Sequence, residues 1–363
     1  MASRSPVLKY FSGRRVLIPI LIGLGIAGYF IWNDYDPDAI RQVDWRQGAL
    51  WWVLASVGMM LLRDVGYIIR LRILSRSLLS WKQCFEIAFL WEFASAISPS
   101  AIGGTAVAVV IMAQENIRTG LTTAIVLITA FLDELFYIIM VPIMLLVIGK
   151  DALFPQDDGT VEYMFSVDNL STFFWLGYAI LFAWTLFLAF AILIKPNWTQ
   201  TFIRALFRLP YLRRRQERGN KLAADLHLAS LEFVKMKFPF WLKAFGATFL
   251  SWSARFLMLN CLLMAFSGFE EHFLSYGRQL VMWVIMLVAF TPGASGIAES
   301  IFPFFMKEFL PGRSIARIVA IVWRMISYYP YLIIGFVILP LWLKRTQGQE
   351  PTTELDSSSA GEQ

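Results

Sequence analysis

Charged residues stand inside long apolar stretches of this chain, at Arg63, Asp64, Glu86, Glu92, Asp133, Glu134, Arg255, Glu299, Arg317 and Arg324. A charge at membrane depth is costly, so each is a functional candidate by default. Asp133 and Glu134 lie midway along one apolar stretch, too far from its ends to reach water easily, and Arg255 is similarly central in another. Arg317 and Arg324 are seven residues apart and share a helix face. Guanidinium groups so placed fit the oxygens of a phosphate-bearing headgroup bidentately. The carboxylates would balance them, hold a cationic group or take up protons. The competing reading is that these charges pair with one another and lock the bundle.

Two glycine–proline breaks accompany them. The first runs Ser98-Pro99-Ser100-Ala101-Ile102-Gly103-Gly104, and the second runs Thr291-Pro292-Gly293-Ala294-Ser295-Gly296-Ile297-Ala298-Glu299. Both residue types interrupt helices. Broken backbone at membrane depth persists only where it is buried in protein or lines a cavity, and helix ends freed there offer N–H groups to an anion. A plain kink or an interhelical loop is the alternative for each break.

The elements that must hold these residues follow from composition. Of 363 residues, 58% are hydrophobic and 16% charged, against roughly a quarter charged in soluble domains. Apolar stretches at 16–32, 49–69, 121–148, 172–194, 244–266 and 314–339 approach or exceed the roughly 20 residues that a spanning helix needs. The chain therefore reads as an all-α polytopic membrane protein. The 16–32 stretch follows a basic segment but precedes Asn33-Asp34-Tyr35-Asp36 rather than a small-residue cleavage site, so an uncleaved helix is expected.

Loop charge gives the expected orientation. The N-terminus, 70–82, 195–243 and the Lys344-Arg345 end are basic, whereas 150–168 and 267–275 are acidic and 33–48 carries an acidic excess. The positive-inside rule puts both termini and the basic loops in the cytoplasm. The net charge of +6 then reflects topology and anionic lipid, with no nucleic-acid partner. Within 195–243, Leu222, Leu226 and Phe233 recur at helical spacing, which suggests a basic amphipathic helix on the inner surface or an ordinary solvated helical linker. The Ser-, Thr- and Glu-rich end reads as a disordered tail.

Arg255 follows Arg63 by 192 residues, and Pro292 follows Pro99 by 193. This spacing suggests two membrane repeats, 49–149 and 244–340. They are flanked by 1–48 (first helix and outer loop), 150–243 (outer loop, linking helix and basic loop) and the tail 341–363. With the loop charges, the repeats come out inverted relative to the membrane, a recurrent transporter plan with its site near the midplane. Each of 81–113 and 276–310 is either a re-entrant hairpin or two full crossings. Hairpins are favoured, giving about six full crossings plus two hairpins.

Signals for soluble chemistry are lacking. The chain has no phosphate-binding GxxxxGK[ST] loop, GxSxG elbow or HExxH helix, and His227 and His272 fall in loops. Cys84 and Cys261 have no metal-ligand spacing. No cofactor, metal or catalytic residue is expected, and the chain is not expected to be an enzyme.

The stretch Thr291-Pro292-Gly293-x-x-Gly296-x-x-Glu299, then Pro311-Gly312, then Arg324 before Tyr328-Tyr329, resembles the second half of the flippase-like, lysylphosphatidylglycerol-synthase transmembrane family. Arg63, Ser98-Pro99 with Gly103, and Asp133 fit the first half. The resemblance covers roughly residues 10–345. It implies movement of modified lipids between the leaflets of a bacterial inner membrane. The implied headgroup path is lined by Arg63, Asp133, Arg255, Pro292, Gly293, Gly296, Glu299 and Arg324. The implied partners are a membrane phospholipid or lipid-linked headgroup, a lipid-modifying enzyme and a second copy of the chain. One departure is that Gly103 is followed by Gly104-Thr105, where the family usually has an acid. Another is that no aminoacyl-transferase domain follows residue 345, so lipid aminoacylation by this chain alone is not expected. The alternatives are an accessory subunit of a lipid-modifying enzyme and, less favoured, a membrane-embedded glycosyl- or aminoacyl-lipid transferase.

Overall fold

A computed structural model describes residues 48–98, 101–155, 167–209, 213, 216–286 and 297–347. The expected first helix at 16–32, the tail beyond 347 and the breaks at Pro99 and Pro292 lie outside the described residues. The described residues fold into α1 (Ala49–Leu74), α2 (Trp81–Ile97), α3 (Ala101–Ala113), α4 (Thr119–Ile148) and the short α5 (Lys150–Leu153). There follow α6 (Val167–Ala189) with a π-turn (Phe190–Ile194), α7 (Pro196–Leu206) and α8 (Gln216–Val234). The remainder is α9 (Phe238–Phe266), α10 (His272–Met286), α11 (Ile297–Met306) with a 3-10 turn (Lys307–Phe309), α12 (Arg313–Ser327) and α13 (Tyr329–Gln347). No strand occurs among the described residues.

Among the described residues, five stretches are long and apolar enough to cross a membrane: Ala49–Leu74, Thr119–Ile148, Leu170–Ile194, Phe238–Phe266 and Ile318–Thr346. The chain is an all-α, multi-pass membrane protein. By contrast α2 has 17 residues, α3 13, α10 15 and α11 10, each short of the roughly 20 needed to span alone.

Local chemistry sets the helix limits. Ser80 and Gln83 form a capping box at the start of α2, with Gln83 N–H donating to Ser80 Oγ (3.3 Å) and Ser80 N–H to Gln83 Oε1 (2.8 Å). Pro142 inside α4 has no N–H for the Ile138 carbonyl, and the Tyr178 hydroxyl of α6 supplies the missing donor at 3.2 Å. The stretch 314–339, expected as one helix, is divided at Tyr328. Pro330 can neither donate to the Ile326 carbonyl nor fit its ring past it, so α12 ends at Ser327 and α13 restarts at Tyr329.

The helix order α1–α2–α3–α4 recurs as α9–α10–α11–α12/α13. Helices α1 and α9 pack along their length. Ser251 Oγ donates to the Arg63 carbonyl (2.9 Å) and Arg70 Nη1 donates to Thr248 Oγ1 (3.2 Å), so the pair is antiparallel. Between these contacts Gly66 lies so close to α9 that an added Cβ would fall 2.9 Å from Ser251 Cβ and 3.0 Å from the Ala247 carbonyl oxygen. The other cross-packing comes in matched pairs: α4 lies on α10 and α13 on α2, and α4 on α9 and α12 on α1.

Two apolar clusters result. One holds Met60, Phe136, Leu181, Trp252 and the buried faces of α10 and α11. The other holds Leu71, Leu132, Leu188, Ala244 and most of α2 and α3. On α1, α4, α6 and α9 the boundary between the clusters falls at polar residues: Arg63 to Arg70, Asp133-Glu134, Thr185, and Thr248 with Ser251.

The basic segment behaves differently from its amphipathic expectation. Leu226, Ala229 and Phe233 of α8 are buried in the second cluster, with α8 packed on α4 rather than turned to lipid. The exposed apolar stripe belongs to α7, where Trp198, Phe202 and Leu206 are exposed and Trp198 meets the Phe190 ring of the preceding span at 5.5 Å.

The contact at Gly66 gives a test. Gly66→Ala is expected to destabilise the protein by about 1–3 kcal/mol, the range for overpacking, because backbone must move to admit the methyl group. Gly58→Ala in the same helix meets open space and is expected to be neutral or slightly stabilising. Thermal unfolding of both variants in detergent checks this.

Candidate functional site

The boundary between the clusters is a layer of ion pairs. Arg63 is fully enclosed and donates from Nη1 to Asp64 Oδ1 (2.8 Å) and from Nη2 to Glu92 of α2. The Tyr331 hydroxyl of α13 reaches both Asp64 oxygens (2.8 and 3.0 Å). Two turns further along α1, Arg70 grips Asp133 of α4 with both terminal nitrogens, the Nη2–Oδ2 bond being 3.2 Å. Asp133 also accepts from Trp252 Nε1 of α9 (2.7 Å). The Tyr67 ring lies between the two arginines, 4.3 Å from the Arg63 guanidinium carbon and 4.7 Å from that of Arg70.

Arg255 completes the layer from α9. Its closest carboxylate is Glu92 at 3.9 Å, so Glu92 serves both Arg63 and Arg255. The Arg255 guanidinium packs on two indoles, 5.1 Å from the Trp252 ring centre and 4.9 Å from that of Trp283. Cations over indole faces are attracted by the ring quadrupole, more strongly when water is excluded. The side chains of Glu92, Asp133 and Arg255 remain 28%, 23% and 13% accessible, whereas those of Arg63 and Arg70 are 0% and 2%. The layer thus has an enclosed side on α1 and a reachable side formed by α2, α4 and α9.

This arrangement brings together Arg63, Asp133 and Arg255, three of the candidates read from the sequence. Arg324 is buried elsewhere on α12, its guanidinium 4.1 Å from the Tyr328 ring, and the Tyr328 hydroxyl donates to the Ala96 carbonyl near the end of α2 (2.9 Å). Pro292, Gly293 and Gly296 lie outside the described residues, as does the side chain of Glu299, whose backbone belongs to α11.

Arg70 corrects the sequence reading, which put it in a basic cytoplasmic loop. Helix α1 continues to Leu74, and Arg70 is buried. The spacing Arg63, Tyr67, Arg70 places all three on one helix face, a signal that was present but masked by the basic residues that follow. Glu134, beside Asp133, turns to α6 and contacts Thr185 Oγ1 at 3.2 Å.

Removing one partner of a buried ion pair strands the other. Asp133→Ala leaves Arg70 and the Trp252 indole without their acceptor and is expected to cost about 3–5 kcal/mol. The double change Arg70→Met with Asp133→Leu removes both charges and is expected to cost less. Unfolding midpoints of single and double variants in the same detergent decide between these outcomes.

The comparisons agree with this architecture. The lysylphosphatidylglycerol synthase TM region matches residues 16–335. A UPF0104 membrane protein of Archaeoglobus fulgidus is 28% identical over 284 residues, covering 74% of this chain and 80% of that protein. No solved structure matches. With the family match running from the first apolar stretch into α13, the chain belongs to the lysylphosphatidylglycerol synthase transmembrane region family.

Proposed function

We propose that this protein moves a phosphate-bearing lipid between the leaflets of a cytoplasmic membrane, the headgroup passing through the layer of ion pairs. The reading rests on unspent donors. Each guanidinium offers five N–H groups. Arg63 Nε and Arg70 Nε are buried without a hydrogen-bond partner, and Arg255 meets its carboxylate only at 3.9 Å. The donors of Arg63 and Arg70 are enclosed, whereas Arg255 is partly accessible and leaves donors for the oxygens of an anionic headgroup. Together with Asp64, the accessible carboxylates of Glu92 and Asp133 balance the three arginines when the layer is empty. They yield to the phosphate when it is filled.

The matched cross-packing supports an inverted two-fold relation between α1–α4 and α9–α13. Such a relation suits a site approached from both faces, with half-length helices meeting near the midplane. In this reading Arg324 receives the headgroup further along the path. No bond is made or broken, so the role is transport rather than catalysis.

The test is exchange of fluorescent phosphatidylglycerol between leaflets of proteoliposomes, with phosphatidylcholine as the neutral comparison. Arg255→Gln is expected to lower phosphatidylglycerol exchange at least tenfold while the unfolding midpoint stays within a few degrees of the parent. Unchanged exchange by a folded Arg255→Gln protein, or no exchange by the parent, defeats the reading.

A further inference from the structure

An arginine-centred junction stands at each end of the molecule. At one end Arg345 of α13 donates from Nη1 to Glu115 Oε2 (2.9 Å) and from Nη2 to Glu86 Oε2 of α2 (2.6 Å). Glu115, in the turn after α3, is fully enclosed and also accepts from Trp342 Nε1 (2.6 Å) and Gln83 Nε2 (2.7 Å). At the other end Arg278 of α10 donates from Nε to the Ala152 carbonyl of α5 (3.1 Å) and from Nη1 to the Phe305 carbonyl (3.3 Å). Its Nη2 donates to Glu308 in the turn after α11 (2.7 Å).

The two junctions correspond. Each ties the second helix of one unit, the turn after that unit's short helix, and the far end of the other unit, which is α13 in one case and the short α5 after α4 in the other. Glu86 and Arg278 are 192 residues apart, as are Arg63 and Arg255, and Glu115 and Glu308 are 193 apart, as are Ala152 and Arg345. They also sit at opposite ends of α4, which begins just after Glu115 and ends just before Ala152. Its 30 residues span about 45 Å.

We infer that the Arg345 and Arg278 junctions are the two closures of the path through the polar layer, and that the Arg278 closure opens more readily. The inference rests on the reading of that layer as a path. The asymmetry lies in what joins the units. Parting α13 from α2 breaks a charged pair and strands Glu115, whose side chain is 0% accessible. A buried carboxylate deprived of its cation is costly. Parting α5 from α10 separates Arg278 only from a neutral carbonyl. The arginine keeps Glu308, which is 44% accessible. A hydrogen bond to a neutral carbonyl is the weaker of the two ties.

Thiol labelling in oriented vesicles tests this. In a chain with Cys84→Ala and Cys261→Ala, a reporter is placed by Ala130→Cys, a half-buried site three residues before Asp133 on the same face of α4. A membrane-impermeant maleimide is then added on one face at a time. In the parent, labelling is expected to be faster from the α5 side. Arg278→Ala is expected to raise labelling from that side about tenfold, and Arg345→Ala from the opposite side. Arg278→Lys, which keeps a charge beside Glu308 but removes the Nε donor to Ala152, and Glu86→Gln serve where the alanine variants do not fold, with the same faces expected. Increases from both faces, from the wrong face or from neither in folded variants overturn the assignment. Equal or reversed labelling of the parent overturns the asymmetry. Labelling needs no lipid substrate, so a protein that exchanges no lipid fails the transport test while these rates still judge the closures.

Discussion

A guanidinium keeps its proton under any condition a cell offers, and Arg63 is enclosed on every side. It has to be neutralised where it stands, and the surrounding structure is arranged to do that. Asp64 comes from the same helix, Glu92 from α2, and Tyr331 of α13 holds Asp64 in place. Glu92 also faces Arg255 at 3.9 Å, so one carboxylate of α2 stands between the arginines of α1 and α9. The approach of α1 to α9 at Gly66 is the steric counterpart of this electrostatic demand, since only a residue without a side chain lets the two backbones come that close.

Around that layer, the ties that hold the bundle are polar at its ends and at its centre, and apolar between. Within the membrane there is little hydrophobic drive to bring one apolar helix onto another, so close packing and interhelical hydrogen bonds carry association. Phe93 of α2 sits against Gly335 of α13 in the same manner as Ser251 against Gly66. Tyr178 completes the hydrogen bonding of α4 at Pro142 and also fixes α6 against it. These contacts position the ion pairs to within hydrogen-bond distance, and the network is only as ordered as they are.

Much of this was legible in the sequence, and the part that was not has identifiable causes. Length and hydropathy located the long helices, because a 20-residue apolar run has few other uses. Intramembrane charges pointed to Arg63, Asp133 and Arg255, because burying them is costly enough to demand a reason. Arg70 escaped because it stands four residues from the end of its helix, where composition cannot distinguish a buried arginine from a loop arginine. The division at Tyr328 was hidden by a continuous apolar run, although Pro330 was the available clue. The burial of α8 was misjudged because a helix that packs on a neighbouring span carries the same amphipathic pattern as one that lies on lipid.

Heat capacity separates movement along the ion-pair layer from unfolding. Exposing apolar surface to water raises heat capacity, whereas exposing polar surface lowers it. The layer parts two apolar clusters along arginines, carboxylates and hydroxyls, with the clusters themselves lying to either side. Water admitted along it would wet polar groups and leave the clusters packed. Opening there would carry a small or negative heat-capacity change, unlike the large positive one of melting a water-soluble core.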